Sequence, residues 1–276
     1  MSIIVGIDVG GSTTKIVGFD GKKLLEPVLV KANDPIASVY GGFGKFTNDN
    51  GIALSDIEKV MVTGVGSSFL GDNIYGIETI HVNEFIANGR GGLYLSNIDE
   101  AIVVSMGTGT SYVYSNKTTG ENTYLGGTGV GGGTLVGLSD RLLGIRSVQN
   151  IANLALEGDL NNIDLRISDI TEHDIIPTLS NNATAANFGK ISDLASREDI
   201  ALGLINMVFE TIAMLAIFSA RMKGINNIVL VGNLSILPQA PTIFDSLRQM
   251  FGVNIIIPEN SAYGTVIGAA LEGLDK

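Results

Sequence analysis

The chain of 276 residues carries 17 basic and 28 acidic side chains, which gives a net charge of −11. This acidic balance argues against nucleic acid or an anionic membrane surface as the main partner, but not against a small anion, because backbone N–H groups and one lysine can form a locally positive pocket. Cysteine is absent, which excludes disulfides, thiolate metal sites, iron–sulfur ligation and a cysteine nucleophile. No leader peptide is evident, so the expected compartment is the cytoplasm.

Apolar segments separated by glycine turns predict strands in the first third of the chain. These strands span residues 2–8, 16–19, 23–30, 59–63 and 78–82. The polar, glycine-bearing region from 31 to 50 yields no helix prediction. A helix is expected over residues 83–95, although its three glycines weaken its second half.

The pattern of strand, glycine turn and strand starts again about one third of the way along the chain. When the turns are aligned, Gly10 matches Gly107 and Asp8 matches Ser105, which hints at a duplication and at a second domain. Further strands alternate with helices, which indicates a mixed α/β architecture. Strands are predicted at 102–105, 110–114, 228–231 and 254–257, and helices at 132–143, 147–157, 201–222, 240–250 and 262–274.

The segment 201–222 has about the length of a membrane-spanning helix. Glu210 lies at its middle and Asn206 also lies within it, and a central acid costs about 2.5–3.5 kcal/mol on insertion scales. A helix buried in the core or at a subunit interface is therefore the preferred interpretation.

The strongest chemical motif ends the first strand. Its residues, in order, are Asp8, Val9, Gly10, Gly11, Ser12, Thr13, Thr14 and Lys15. Glycines let backbone amides approach a phosphate closely, the lysine can neutralise phosphate charge, and the acid can hold Mg²⁺ directly or through water. A tight hairpin with a solvated lysine would explain the same residues without a ligand.

Two further glycine-rich segments accompany this motif. The turn at 105–111 suits a second phosphate contact or a substrate hydroxyl, and residues 126–134 open an apolar helix. The latter segment formally matches GxGxxG, but it lacks the first strand of a βαβ unit and the acid about 20 positions later, which disfavours a dinucleotide fold. A glycine-lined nucleotide surface at a helix N-terminus fits better. No GxxxxGK[ST] pattern is present, so a P-loop is excluded.

Glu84 is the candidate general base. It follows the strand predicted at 78–82 and opens the next helix, where the helix dipole favours an acid in any case. From spacing alone, helix capping explains Glu84 at least as well as catalysis does.

Together these motifs resemble those of the type II pantothenate kinases, which belong to the actin-like ATPase superfamily with the sugar kinases, Hsp70 and actin. The resemblance runs nearly from end to end. Beyond the first motif it rests on residues 62–64, 84–85, 107–111, 126–134, 184–189 and 231–233. The Thr-Ala-Ala-Asn-Phe-Gly segment at 184–189, with the glutamate and the triple glycine, is far more specific than the first motif.

The resemblance implies an α/β fold of two duplicated, actin-like (ribonuclease H-like) ATPase domains with ATP in the cleft between them. The domains are expected over residues 1–98 and 99–276, with the last helix (262–274) packing back on the first. It also implies a homodimer built partly on the long helix. The acidic net charge adds the expectation of no nucleic-acid or membrane partner. The implied reaction is phosphorylation of the 4′-hydroxyl of pantothenate, with ATP and Mg²⁺, as the first step of coenzyme A biosynthesis.

The resemblance also assigns roles by position. Glu84 would take the hydroxyl proton, and Asp8 would position Mg²⁺ through water. Thr108, Ser111 and Tyr124 would contact pantothenate. The implied ATP and phosphate contacts are Asp8, Val9, Gly10, Gly11, Ser12, Thr13, Thr14, Lys15, Thr108, Gly109, Gly129, Val130, Gly131, Gly132, Gly133, Gly232 and Asn233.

Tyr124 departs from the family pattern, which has an arginine nine residues before the last glycine of the triple-glycine segment. A tyrosine donates one hydrogen bond but brings no charge. The departure bears on the rate and on the identity of the acceptor, unless Arg90 or Lys117 supplies the charge in space.

Two alternatives remain open. A kinase of the same fold could act on another acceptor such as an amino sugar, although such sugar kinases commonly use an aspartate base. A non-catalytic nucleotide-binding paralogue would explain the lost arginine but not the retention of Asp8, Lys15 and Glu84. The activator ATPases of this fold carry cysteine-ligated iron–sulfur clusters, and the absence of cysteine excludes that branch.

Overall fold

Seven strands from the first third of the chain form one mixed sheet in the computed structural model, which describes residues 2–31, 34–171 and 180–274. The elements of this part are β1 (Ile3–Val9), β2 (Thr13–Asp20), β3 (Lys23–Leu24), β4 (Val28–Lys31), α1 (Pro35–Asn50), β5 (Ile57–Thr63), β6 (Asn73–Ile74), β7 (Ile77–His81) and α2 (Glu84–Ser96). The strand order is β3–β2–β1–β5–β7–β6, and β4 also pairs with β2. Strand β1 runs antiparallel to β2 and parallel to β5.

The rest of the chain builds a second sheet on the same plan. Its elements are β8 (Glu100–Met106), β9 (Thr110–Asn116), β10 (Glu121–Thr128), α3 (Gly132–Leu143), α4 (Val148–Leu154), β11 (Leu165–Arg166), α5 (Ile167–Ile170), β12 (Thr184–Ala186), α6 (Arg197–Lys223), β13 (Asn227–Val231), α7 (Ala240–Phe251), β14 (Asn254–Ile256) and α8 (Gly264–Leu274). The sheet order is β10–β9–β8–β13–β14, and β11 pairs separately with β12. Strand β8 runs antiparallel to β9 and parallel to β13, as β1 does to β2 and β5.

Two long elements, α1 and β10, were not predicted from the sequence, and neither were the short elements β6, β11, α5 and β12. Helix α1 contains three glycines, which lower its intrinsic helix propensity. It nevertheless buries Val39, Phe43 and Phe46 in the first core, at the helical spacing of one apolar face. Strand β10 is also glycine-bearing, but it pairs with β9 along nearly its whole length. In both cases tertiary contacts outweigh local propensity.

Helix α6 packs as a core helix of the second half. It is long and apolar enough to cross a membrane, but 61% of its most apolar 18-residue stretch is buried inside the protein. Its central acid, Glu210, accepts hydrogen bonds from Thr184 Oγ1 at 2.7 Å and from Asn187 Nδ2 at 2.8 Å. The specific segment at 184–189 is thus docked on α6, and these bonds explain an acid within an apolar helix.

Helices α2 and α8 cross in close contact between the two sheets. A Cβ on Gly91 would lie 1.8 Å from the Gly264 carbonyl oxygen, and one on Gly268 would lie 1.8 Å from that of Ala87, so no side chain fits at either position. Helix α8 packs on β1 and β5 of the first sheet, whereas α2 packs on β8, β9 and β10 of the second. The division into domains at residue 98 stays a prediction.

Candidate functional site

A cleft of about 480 Å³ opens where the β1–β2 hairpin faces the β8–β9 hairpin. The sequence-predicted site residues that line it are Asp8, Gly10, Gly11, Ser12, Thr13, Lys15, Glu84, Thr108, Gly109, Ser111, Tyr124, Gly129, Gly232 and Asn233. The predicted residues that do not line it are Val9, Thr14, Val130, Gly131, Gly132 and Gly133. Lining residues outside the predicted set are Gly64, Val65, Ser105, Gly107, Thr110, Gly127, Thr128 and Thr265.

Asp8 and Lys15 face each other across β1 and β2. Lys15 is only 5% exposed, and its Nζ donates to the Ala262 carbonyl oxygen at 2.7 Å. Burial raises the pKa of the Asp8 carboxyl, and the Lys15 ammonium opposes that rise. Burial lowers the pKa of Lys15, and Asp8 opposes that fall. Lys15 is therefore a buried, hydrogen-bonded side chain at the base of the cleft, and not the solvated lysine of a plain hairpin.

Gly64 makes room for the Asp8 carboxyl. It follows β5 with φ of +86°, and a Cβ on it would lie 2.6 Å from Asp8 Oδ1 and 2.6 Å from the Val9 carbonyl oxygen. Glycine tolerates both this backbone conformation and this approach. Gly64 belongs to the resemblance, but no local pattern marks it as a contact of Asp8.

The second hairpin carries hydroxyl groups instead of charges. Ser105 and Ser111 pair across β8 and β9. Gly232 follows β13 with φ of +97°, and a Cβ on it would lie 2.7 Å from the Met106 carbonyl oxygen. The next residue, Asn233, donates from Nδ2 to Thr13 Oγ1 on the first hairpin at 3.3 Å. This bond joins the two sides of the cleft.

The triple glycine supports the second hairpin from behind. The Gly132 N–H donates to the Gly107 carbonyl oxygen at 2.9 Å, and the Gly133 N–H donates to that of Thr108 at 2.8 Å. These amides are engaged within the protein, so the start of α3 braces the turn. Of the predicted contacts in this segment, Gly129 is the residue that reaches the cleft.

Glu84 begins α2 and lines the cleft. The cap of this helix is Asn83, whose Oδ1 accepts from the Phe85 N–H at 2.9 Å. Burial raises the pKa of the Glu84 carboxyl, and the negative charge of Asp8 raises it further. A carboxylate with a raised pKa accepts a proton more readily than an ordinary glutamate.

Asn88 lies one turn after Glu84 and was missed by the sequence analysis. This buried side chain accepts at Oδ1 from Thr265 Oγ1 at 2.6 Å and donates from Nδ2 to Ser111 Oγ at 3.4 Å. It therefore ties α8 and the second hairpin to the helix that carries Glu84. An isolated asparagine in a glycine-rich helix carries no sequence signal of such a network.

Tyr124 lines the cleft from β10 and stacks on Phe85, with 4.1 Å between ring centroids and 21° between planes. Arg90 and Lys117 line a separate cavity of about 830 Å³, where Arg90 pairs with Glu272. They do not replace the missing arginine charge. Among the described residues that line the cleft, Lys15 is the one cation.

Two carboxylates line the cleft, and the assignment of Glu84 as the base leaves Asp8 for a phosphate-bound cation. Within residues 2–31, 34–171 and 180–274 no three His, Asp or Glu side chains cluster as a metal site. Mg²⁺ usually keeps several waters and binds through one or two carboxylates together with substrate phosphates. Asp8 therefore fits the role of a Mg²⁺ partner when a nucleotide is present.

Sequence comparisons give a consistent family. The Fumble family model matches residues 46–244. The type II pantothenate kinase of Bacillus cereus (strain G9842) is 32% identical over 246 residues, covering 84% of each chain. That of Staphylococcus aureus (strain MRSA252) is 31% identical over 284 residues, covering 98% of this chain and 99% of its own.

Structural comparisons identify the fold. An activator of the 2-hydroxyisocaproyl-CoA dehydratase from Clostridium difficile, with bound ADPNP, has a TM-score of 0.70 at 18% identity and covers 99% of this chain and 94% of its own. A ROK family glucokinase from Streptomyces griseus, in complex with glucose and AMPPNP, has a TM-score of 0.62 at 13% identity and covers 98% of each chain. These likenesses show an actin-like ATPase fold. By its sequence matches, the chain belongs to the Fumble family, the family of the type II pantothenate kinases.

Proposed function

We propose that this protein transfers the γ-phosphate of ATP to the 4′-hydroxyl of pantothenate, the first step of coenzyme A biosynthesis. The observation that carries the proposal is the cleft itself, where the held Asp8–Lys15 pair and Glu84 lie together between two glycine-rich hairpins. The names of the relatives support the acceptor. The ATP analogues bound to the structural neighbours support the nucleotide.

Glu84 takes the proton of the acceptor hydroxyl. The freed oxygen forms a bond to the γ-phosphorus while the bond from that phosphorus to the bridging oxygen breaks, and its electron pair leaves with ADP. Lys15 and the backbone amide of Gly11 hold the phosphates, while the Gly10 N–H donates to the Thr13 carbonyl oxygen at 3.0 Å and closes the hairpin. Mg²⁺ would supply charge neutralisation at the phosphates, and Asp8 is the residue that would hold it. Most of the rate enhancement comes from positioning and charge neutralisation.

The second hairpin and its neighbours position the two substrates. Thr108, Ser111 and Tyr124 contact pantothenate, and Gly129 with Gly232 and Asn233 flank the nucleoside. Gly132 and Gly133 do not line the cleft. They support the β8–β9 turn through backbone hydrogen bonds.

The protein acts as a homodimer in the cytoplasm under this proposal. Helix α6 leaves Leu215, Phe218 and Met222 exposed, at the spacing of one helical face. A second copy that covers this face would remove it from water.

The deciding experiment measures ATP consumption with Mg²⁺, with and without pantothenate, beside a panel of hexoses and amino sugars. Turnover that depends on pantothenate supports the proposal. Turnover with a sugar alone keeps the fold and changes the acceptor, whereas ATP binding without turnover favours the non-catalytic paralogue.

A single substitution tests the assignment of Glu84 as the general base. Glu84→Gln keeps the shape of the side chain but accepts no proton, so phosphoryl transfer should be lost while ATP affinity stays nearly unchanged. Glu157→Gln, at an exposed glutamate outside the cleft, is the matched control. Wild-type turnover in Glu84→Gln would refute the assignment.

A further inference from the structure

The charges that line the cleft are unbalanced. Asp8 and Glu84 are two carboxylates, and Lys15 is the one cation among the described lining residues. Lys15 already has partners within the protein, because its Nζ donates to the Ala262 carbonyl oxygen at 2.7 Å and its charge interacts with Asp8. The phosphates of the nucleotide require positive charge as well. No lining cation is left over for a second anionic group on the acceptor.

The lining around Glu84 is polar but neutral. Ser111 Oγ is held by Asn88, and Tyr124 and Thr128 add hydroxyl groups from β10. Phenol, hydroxyl and amide groups satisfy an uncharged amide by hydrogen bonds. A carboxylate in the same place would lose water, gain no counter-ion and feel the negative charges of Asp8 and Glu84.

The nearest other basic side chains do not supply the missing charge. Arg90 and Lys117 line the separate cavity, in which Arg90 pairs with Glu272 and Lys117 lies 4.0 Å from Asp99. That cavity shares no lining residue with the cleft.

Tyr124 is the side chain best placed to decide this preference. Its ring stacks on Phe85, the residue directly after Glu84, and both Tyr124 and Glu84 line the cleft. It is 47% exposed, which means that a longer side chain at this position has room to reach solvent or ligand. An arginine at position 124 would add a cation to the lining of the cleft without entering the hydrophobic core.

Resting on the proposed function, we infer that this cleft selects an acceptor with an uncharged tail, an N-substituted amide of pantothenate, over pantothenate with its free carboxylate. Tyr124 is the specificity-determining residue. The chemical step is the same for both acceptors: the hydroxyl proton passes to Glu84, the oxygen–phosphorus bond forms, and ADP leaves. Only the tail, which takes no part in bond making, differs.

The test compares kcat/KM for pantothenate and for its N-ethyl amide, with the full-length protein, ATP and Mg²⁺. In the wild type the ratio of the amide to pantothenate should exceed one. In Tyr124→Arg it should fall by about tenfold or more, because the new cation pairs with the carboxylate of pantothenate alone. In Tyr124→Phe, which keeps the ring and adds no charge, it should stay within about twofold.

Tyr94→Arg is the matched control, since Tyr94 is a similarly exposed tyrosine that lines the separate cavity. It should leave the ratio unchanged. A wild-type ratio below one, a Tyr124→Arg ratio equal to that of the wild type, or an equal fall in Tyr94→Arg would overturn the inference. Turnover with pantothenate but not with the amide would leave the proposed function standing and remove this inference. Turnover with neither acceptor would refute the proposed function itself.

Discussion

The β1–β2 and β8–β9 hairpins share one backbone plan but carry different chemistry. Each is formed by the first two strands of its sheet in chain order. Beside each lies a parallel strand that is followed directly by a glycine of positive φ, Gly64 in one half and Gly232 in the other. The first hairpin places the half-buried Asp8 opposite the buried Lys15. The second has hydroxyl residues at the corresponding strand ends.

The difference separates the two tasks of the proposed reaction. The charged hairpin suits phosphate and Mg²⁺, where electrostatic stabilisation is the largest contribution to rate. The neutral hairpin suits positioning of the acceptor by hydrogen bonds. The sheet geometry sets where the two turns meet, and a few side chains decide what each turn binds.

Removal of the cation from the first hairpin should have the largest effect. Lys15→Met removes the ammonium that interacts with the Asp8 carboxyl and leaves phosphate charge unmatched, so kcat/KM for ATP should fall about 100- to 1,000-fold. Steady-state kinetics over a range of ATP concentrations measures this fall. Lys45→Met is the control, because Lys45 is exposed on α1 and pairs with Asp49. A loss below about tenfold would argue against a phosphate role for Lys15.

The pH dependence of turnover should report the ionisation of Glu84, whose pKa is raised by burial and by the Asp8 charge on the first hairpin. Glu84 must be ionised to take a proton, and burial together with Asp8 raises its pKa above the ordinary value of 4.5. Activity should therefore rise with pH, by about tenfold per unit below that raised pKa, and then level off. Initial rates across the acid range at saturating substrates test this. A profile that is already flat at the ordinary glutamate value would contradict the assignment.

Gly64 and Gly232, the glycines that follow β5 and β13, should distinguish the cost of backbone strain from a role in activity. Gly64→Ala and Gly232→Ala each place a Cβ within 2.7 Å of neighbouring atoms at positive φ, which should cost about 1–3 kcal/mol of unfolding free energy or more. Gly64→Ala should lose more activity, because the atom it displaces belongs to Asp8. Denaturant unfolding and kcat are measured together.

Gly21→Ala is the control for this pair. Its φ is +57°, and a Cβ there meets nothing within 4 Å, so it carries backbone strain alone. It should cost about 1–2 kcal/mol and leave kcat unchanged. Equal activity losses in all three variants would show that the contacts of Gly64 and Gly232 have no special role.

The hydrogen bond across the cleft from Asn233 to the first hairpin should give the smallest effect. Asn233→Ala removes the contact with Thr13 Oγ1, and a neutral hydrogen bond contributes about 0.5–1.5 kcal/mol. KM for ATP should rise about 2- to 13-fold with little change in kcat. A double-mutant cycle with Thr13→Ala isolates the pair. Strictly additive effects would mean that the two residues do not act together.

Much of the fold was predictable from local pattern. Strands β1 and β8 and helix α3 were predicted because apolar periodicity and glycine turns are local signals. Helix α1 and strand β10 were missed because their glycines oppose the structure that packing imposes. The contiguous first motif likewise brought most of its members to the cleft, since neighbours in a hairpin stay together.

Local sequence pattern was enough to establish an α/β architecture, the two glycine hairpins, and the candidates Asp8, Lys15 and Glu84. The packing of distant elements settled which residues complete the site. Asn88 meets Thr265 across 177 positions, and Gly64 meets Asp8 from a neighbouring strand. It also decided that Arg90 and Lys117 lie in another cavity. Such contacts depend on how helices and strands far apart in the chain pack together, and one sequence carries no local signal of that packing.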